Sequence, residues 1–203
     1  MAQEIELKLR VETDANVSAQ LCEFFSTESL VTQRLENTYF DTPSLDLNKA
    51  KVALRIRTKN DRLIQTLKTK GESVNGLHVR GEWEWDLEQA ILDGELLKAC
   101  EGWSADIDVE SLVPVFKTDF DRHQADVNWK GSTFELAYDR GQVISKDKTA
   151  PIHEVELELK DGDASLLLEL KSKLESAFPL KAHDISKAEA GYELYLSQSG
   201  SAT

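Results

Sequence analysis

The feature of this sequence that most restricts its fold is a strict alternation of charged and apolar residues in two distant segments. Between Glu4 and Glu12, Ile, Leu and Val occupy every second position, and charged or polar residues occupy the positions between them. The segment from Glu154 to Lys160 repeats this pattern. A repeat of two residues is the period of a β-strand, whose side chains point alternately to opposite faces. Both segments are therefore predicted to be strands with one apolar and one charged face.

Six further segments carry strand signals, and turn residues between two pairs of them indicate β-hairpins. These strands are predicted over residues 34–40, 52–59, 62–70, 77–87, 115–129 and 132–145. Helices are predicted from Asp14, as a cap, to Ser26, over 88–101, from Asp163 or Ser165 to Phe178, and after a cap at Ser186. About eight mostly antiparallel strands and four helices predict an α+β fold or a closed barrel with helices outside.

Composition indicates one acidic domain with enough apolar material for a core. The chain has 203 residues, 40% of them hydrophobic, and a formal net charge of −13. Such a charge argues against binding to long nucleic acids or to an anionic membrane surface. The sequence has no apolar stretch of about 20 residues, no signal segment and only two cysteines, Cys22 and Cys100. We expect a cytoplasmic protein with one domain over residues 1–196 and a flexible tail over 197–203.

The charges are segregated by sign along the chain. A single alternating strand is most simply part of a sheet with its charged side in water, but solvated faces normally mix both signs. Residues 49–80 contain nine basic and two acidic residues, so their net charge is +7 and the rest of the chain carries −20. Like charges on adjacent strands repel each other. The basic strands therefore predict a bound polyanion that neutralises them.

The acidic strands predict a complementary site for a divalent cation. Residues two apart on a strand project the same way, about 6.6–7 Å from each other. If Glu4 and Glu6 face Glu154 and Glu156, the four carboxylates repel each other and favour a bound Mg²⁺ or Mn²⁺. A basic row beside a row of metal ligands is typical of phosphoryl transfer. The cations hold the phosphates, while the metal neutralises developing charge and lowers the pKa of a bound water.

An ordered set of motifs over almost the whole chain resembles the CYTH superfamily, the triphosphate tunnel metalloenzymes. Glu4-Ile5-Glu6-Leu7-Lys8 is similar to the family's N-terminal E-x-E-x-K signature, and residues 154–159 resemble its second acidic strand. The intervening motifs that resemble the family, in order, are 39–43, 54–57, 67–70, 76–80 followed by Glu82 and Glu84, 118–122, 139–141 and Ser186-Lys187. Among the branches, the sequence looks most like the bacterial inorganic triphosphatases.

The resemblance implies an eight-stranded antiparallel barrel, with charged faces lining a tunnel and apolar faces meeting helices outside. The metal ligands that it implies are Glu4, Glu6, Asp139, Glu154, Glu156 and Glu158. The triphosphate ligands that it implies, or that share a strand face with them, are Lys8, Arg55, Arg57, Lys68, Lys70, Arg80, Arg122 and Lys187. Direct participation in catalysis is expected of Glu4, Glu6, Lys8 and Glu156. Glu82 and Glu84 are expected to act as counter-charges.

The activity implied by the resemblance is metal-dependent hydrolysis of inorganic triphosphate to pyrophosphate and phosphate, with two Mg²⁺ or Mn²⁺ ions. Other activities of the same fold stay open: adenylyl cyclase, thiamine triphosphatase and RNA 5′-triphosphatase. Ala2-Gln3 stands where cyclases of the family tend to carry His-Phe, which counts against the first. A non-catalytic polyphosphate-binding module is an alternative of a different class. The acidic ligands argue against it, because an anion binder gains nothing from carboxylates unless a metal bridges them.

Overall fold

Strand pairing closes a barrel of eight antiparallel strands, in agreement with the predicted fold. The structure is a computed structural model that describes residues 2–104 and 106–197. Its strands are β1 (Ala2–Val11), β2 (Val31–Asp41), β3 (Ala53–Lys59), β4 (Arg62–Lys68), β5 (Glu72–Val74), β6 (Leu77–Leu87), β7 (Val113–Trp129), β8 (Ser132–Ser145), β9 (Lys148–Asp161) and β10 (Leu180–Ala182). The order around the barrel is β1-β9-β8-β7-β2-β3-β4-β6, and β6 pairs back onto β1. The short strand β5 pairs with β6, and the short strand β10 pairs with β1.

Four of the five helices in the described residues correspond to predicted ones, with different boundaries, and the short helix at 46–49 was not predicted. The helices are α1 (Ser18–Phe25), α2 (Asp46–Lys49), α3 (Gly94–Ala99), α4 (Leu166–Ala177) and α5 (Lys187–Leu196). The predicted cap at Asp14 is wrong. The Asn16 side chain accepts a hydrogen bond from the Ser18 backbone N–H, and helix α1 begins only after this turn. The predicted cap at Ser186 is confirmed, as part of a capping box with Glu189.

Most of the hydrophobic core lies on the outer face of the barrel. The apolar side of β1 packs with β8, β9, α1 and α4, and Leu7 and Leu9 are fully buried there. A second outer cluster joins β3, β4 and β6 to the segment that contains α2 and α3. Trp83 and Trp85 lie in this cluster, as predicted from their alternation with acidic residues. Helices cover the outside because the apolar strand faces point that way, and the charged faces are left to point inward.

Helix α5 differs from the other helices, since it packs against residues that point into one end of the barrel. Tyr192 contacts Phe116, whose ring also stacks on Tyr39. A methyl group at Gly191 would lie 2.0 Å from a ring carbon of Phe116, so only glycine permits this approach. The first residue of the helix, Lys187, is consequently carried into the barrel interior.

No helix in the described ranges is long and apolar enough to cross a membrane. The predicted tail over residues 197–203 lies outside the described residues apart from Ser197.

The close contact of α5 with β7 predicts that Gly191→Ala destabilises the fold. The added methyl group overlaps the Phe116 ring, and overpacking of this kind costs about 1–3 kcal/mol. Urea denaturation at neutral pH measures the loss. Glu193→Ala, at an exposed position of the same helix, is the control and should change stability by no more than about 0.5 kcal/mol. Equal stability of the Gly191 variant and the wild type would contradict the packing of α5 described here.

Candidate active site

The charged strand faces line a cavity of about 490 Å³ inside the barrel, which forms the predicted tunnel. Its lining extends from Lys59 and Lys160 near one end of the barrel to Lys51 and Glu72 near the other. In the closed strand order, β3 and β9 are four strands apart in either direction. The basic row of β3 therefore stands across the tunnel from the acidic row of β9, so the predicted segregation of charges exists in space as well as in sequence.

Two carboxylates of β1 are held by cations from β4 and β6. Arg80 donates hydrogen bonds from Nε to Glu4 at 2.7 Å and from its terminal nitrogen to Glu6 at 2.9 Å. Lys68 donates to Glu4 at 2.6 Å and contacts Glu82 at 3.1 Å. Glu82 therefore acts as a counter-charge to the basic wall, as predicted. The antiparallel pairing of Glu4 with Arg80 on β6 explains why these side chains meet.

A second carboxylate cluster lies deeper in the wall, on β8 and β9. One oxygen from each of Asp139, Glu154 and Glu156 lies within 4.8 Å of the others, and all three residues are buried. Glu4 and Glu6 are not part of this group. We call the three residues the carboxylate cluster. The Lys187 ammonium contacts all three of its members.

Two more cations contact the carboxylate cluster. Arg122 binds Asp139 with two nitrogens, at 2.7 and 2.8 Å, and also donates to Glu156. Lys8 lies 2.8 Å from Glu156 and 3.9 Å from Glu6, so it joins the cluster to the acidic pair on β1. The β1 and β9 carboxylates therefore do not converge directly as predicted: Lys8 separates Glu6 from Glu156, and Glu4 pairs with Lys68 and Arg80 instead.

These contacts lower the pKa values of Glu4, Asp139 and Glu156 and so favour their ionised forms. Burial opposes ionisation of Glu156, yet Lys187, Lys8 and Arg122 hold its pKa well below the ordinary value. Burial is likewise outweighed at Glu4, where Lys68 and Arg80 lower the pKa strongly. For Glu158, which lines the tunnel, burial prevails over its contact with Lys160 and the pKa is raised.

Arg55 and Arg57 differ from Lys8, Lys68, Arg80, Arg122 and Lys187, which all pair with carboxylates. Among the described residues, no carboxylate forms an ion pair with either of them, while the carboxylates contact other cations. The Nε atom of Arg55 is buried and has no hydrogen-bond partner in the described chain. Burial and the charges of Arg55 and Arg122 lower the pKa of Arg57 to about 10. Two adjacent cations that lack counter-charges are the strongest local sign of an anion site.

Most of the predicted site residues line the tunnel, and two lie behind its surface. Those that line the tunnel are Glu4, Glu6, Lys8, Arg55, Arg57, Lys68, Lys70, Arg80, Arg122, Glu156, Glu158 and Lys187. Asp139 and Glu154 lie behind this surface, among the side chains of Arg122 and Lys187. Lys70 is exposed, after the end of β4.

Sequence reasoning missed the polar residues that orient the basic wall. Asn37 on β2 accepts a hydrogen bond from Arg57 Nε at 2.8 Å and donates one to Thr118. Tyr39, two residues along the same strand, lies beside Arg55 in the tunnel lining. Burial opposes ionisation of Tyr39, but Arg55 and Arg57 lower its pKa overall. The signal that could have revealed both residues is their spacing of two on a strand paired with β3.

Oxygen ligands in a buried cluster fit a hard divalent cation such as Mg²⁺ or Mn²⁺. The three carboxylates of the cluster can supply ligands from two adjacent strands, and Glu6 stands next to them across Lys8. The side chains present therefore suit such an ion, provided that the cations now in contact with them give way.

A closed barrel with opposed acidic and basic walls defines a class of protein, and comparison with known families agrees with it. The model of the CYTH domain matches residues 2–192. The chain belongs to the CYTH family.

Individual relatives agree with this assignment. The chain is 34% identical over 198 residues to an inorganic triphosphatase of Haemophilus influenzae, covering 96% of this chain and 55% of that protein. It therefore spans little more than half of the curated relative. Among solved structures, HpAC1 from Hippeastrum, reported to have a dominant triphosphatase activity, has a TM-score of 0.64 at 23% identity, with 94% and 95% of the two chains covered. The PH1819 protein of Pyrococcus horikoshii has a TM-score of 0.56 at 20% identity, covering 94% and 98%. These two structures establish the shared fold.

The ion pairs of the tunnel predict a marked loss of stability in acid. Groups whose pKa is lowered by folding stabilise the protein above their unfolded pKa, and this stability is lost as the pH falls below it. Because Glu4, Asp139 and Glu156 all have lowered pKa values, the free energy of unfolding should decrease below about pH 5. Urea denaturation between pH 7 and pH 3 measures the slope. Glu156→Gln should be less stable at pH 7 and show a shallower slope, whereas Glu193→Gln, at an exposed site, should keep the wild-type slope. A steeper or unchanged slope in Glu156→Gln would refute the argument.

Proposed function

We propose that this chain is a metal-dependent triphosphatase that hydrolyses inorganic triphosphate to pyrophosphate and phosphate. The observation that carries the proposal is the pair Arg55 and Arg57, which face the tunnel without carboxylate partners, opposite an acidic wall suited to a divalent cation. A linear polyanion that lies between the two walls would neutralise the basic wall and share a metal ion with the acidic wall. The name of the Haemophilus relative agrees with this substrate.

The lining of the tunnel favours a substrate without an organic ring. Among the described residues that line it, the aromatic ones are Tyr39 and Tyr192, and both are buried where α5 packs against the barrel. The lining near the ends is mostly charged or polar, as at Lys51 and Glu72, and also includes the aliphatic residues Leu35 and Val52. A base or a thiazolium ring usually binds by stacking on an exposed aromatic side chain, and the lining does not offer one. Inorganic triphosphate needs no such surface.

The division of labour in the reaction follows from charge and position. The planar guanidinium groups of Arg55 and Arg57 suit bidentate contacts to phosphate oxygens and would hold the chain in line for attack. A bound Mg²⁺ or Mn²⁺ would supply charge neutralisation and a more acidic water. Glu6 and Glu156, which line the tunnel on either side of Lys8, are the candidates to accept the proton of the attacking water. The leaving pyrophosphate would remain paired with the basic wall.

A phosphate-release assay with four compounds tests the proposed substrate. The purified protein is incubated with inorganic triphosphate, ATP, thiamine triphosphate and pyrophosphate, with Mg²⁺, with Mn²⁺ and with EDTA. We expect the fastest phosphate release from inorganic triphosphate and none in EDTA. Conversion of ATP to cyclic AMP, or a faster reaction with a nucleotide, would contradict the proposed substrate and indicate another activity of the same protein fold.

Glu6→Gln is the matched test of the metal role in the same assay. The variant keeps the shape of the side chain and its contact with Arg80, so the fold should remain intact. Turnover should fall at least about a hundredfold, because one acidic ligand is lost. The exposed substitution Glu95→Gln controls for surface charge and should leave the rate unchanged. A fully active Glu6 variant would remove this residue from the set of metal ligands.

The basic wall predicts a selective effect of Arg57→Ala on substrate affinity. The variant removes a phosphate contact made in the ground state as well as in the transition state, so KM for inorganic triphosphate should rise at least about tenfold. Steady-state kinetics with saturating Mg²⁺ measures it. Asn37→Ala, which removes only the side chain that orients Arg57, should raise KM less. An unchanged KM for Arg57→Ala would exclude this arginine from the substrate site.

A further inference from the structure

Lys187 occupies the centre of the carboxylate cluster. Its ammonium lies 2.7 Å from Asp139 and 2.9 Å from Glu156, and it also contacts Glu154. One positive group in contact with three carboxylates takes the place that a metal ion would need. The side chain is almost entirely buried, with 8% of its surface exposed.

The cluster is close to electrically balanced without any added ion. Among the described residues, the three carboxylates are in contact with three cations: Lys187, Lys8 and Arg122. A divalent ion added to this balanced arrangement would leave two surplus positive charges at short range. Entry of the ion therefore requires that one of the cations leave.

Lys187 is the cation best placed to leave. Lys8 and Arg122 lie within barrel strands β1 and β7, whereas Lys187 is the first residue of helix α5 and follows a chain segment without regular structure. It also lines the tunnel. A small change of its side-chain rotamers would turn the ammonium from the cluster towards an anion in the tunnel.

We propose that Lys187 acts as an internal substitute for the metal, competing with Mg²⁺ or Mn²⁺ for Asp139, Glu154 and Glu156 until a polyphosphate draws its ammonium into the tunnel. This inference rests on the proposed function. It means that the polyanion and the ion assist each other's binding, and by linkage each raises the affinity of the other by the same factor. The protein without polyphosphate then binds the ion weakly, although its ligands are already assembled.

The competition predicts a gain of metal affinity on removal of a positive side chain. Mn²⁺ binding is measured by electron paramagnetic resonance of the free ion, in buffer free of phosphate and polyphosphate. Lys187→Met, which keeps the length of the side chain, should bind Mn²⁺ about tenfold or more tightly than the wild type. Adding Glu154→Gln to this variant should abolish the gain, because the ion then loses a cluster ligand.

Lys171→Met is the matched control, since Lys171 is a partly buried lysine of helix α4 that pairs with Glu175 and does not line the tunnel. Its Mn²⁺ affinity should stay within about threefold of the wild type. Equal affinity in Lys187→Met and the wild type would overturn the proposal, as would an equal gain in Lys171→Met, which would indicate a general effect of charge. If Lys187→Met does not fold by circular dichroism, Lys187→Gln replaces it under the same criteria. These measurements need no turnover, so a lack of triphosphatase activity would overturn the proposed function and leave this comparison intact.

Discussion

The structure depends on the neutralisation of opposite charges inside a closed barrel. Each strand must turn one face inward, and in this chain that face carries carboxylates, ammonium and guanidinium groups. Isolated charges at such depth would be prohibitively costly. The ion pairs of Lys187, Arg122 and Arg80 reduce that cost, while Arg55 and Arg57 remain without carboxylate partners. The barrel is therefore stable enough to form and still leaves two cations at one wall for the proposed anion.

Much of the fold could be predicted from period and sign, because both are set by the backbone. Alternation at Glu4–Glu12 fixes which side chains share a face. The strand count left an α+β fold and a closed barrel open, and it was the resemblance to the CYTH superfamily that implied an eight-stranded barrel. The boundary of α1 could not be predicted, since a local turn at Asn16 competes with the cap expected at Asp14. The strands β5 and β10 have only three residues each, which is too short for an alternating pattern to be recognised.

The candidate site was less predictable than the fold. Spacing on one strand indicates which residues point inward, but pairing across strands decides which of them touch. The sequence could not show that Lys8 stands between Glu6 and Glu156, or that Asn37 orients Arg57. The place of Lys187 depends on the docking of α5, which in turn depends on the absence of a side chain at Gly191. Such contacts arise from tertiary packing alone.

Two of the apolar clusters lie outside the strands and the charged site lies inside them, so these are separated by one backbone layer. On β1, for example, Glu6 faces the tunnel while the next residue, Leu7, packs outside the barrel. Changes in the tunnel away from α5 can alter what is bound without opening cavities in the packing that holds the outer helices. A barrel built this way is well suited to diversify among related substrates in evolution, and to be redesigned in the laboratory, because specificity and folding draw on alternate residues of the same strands.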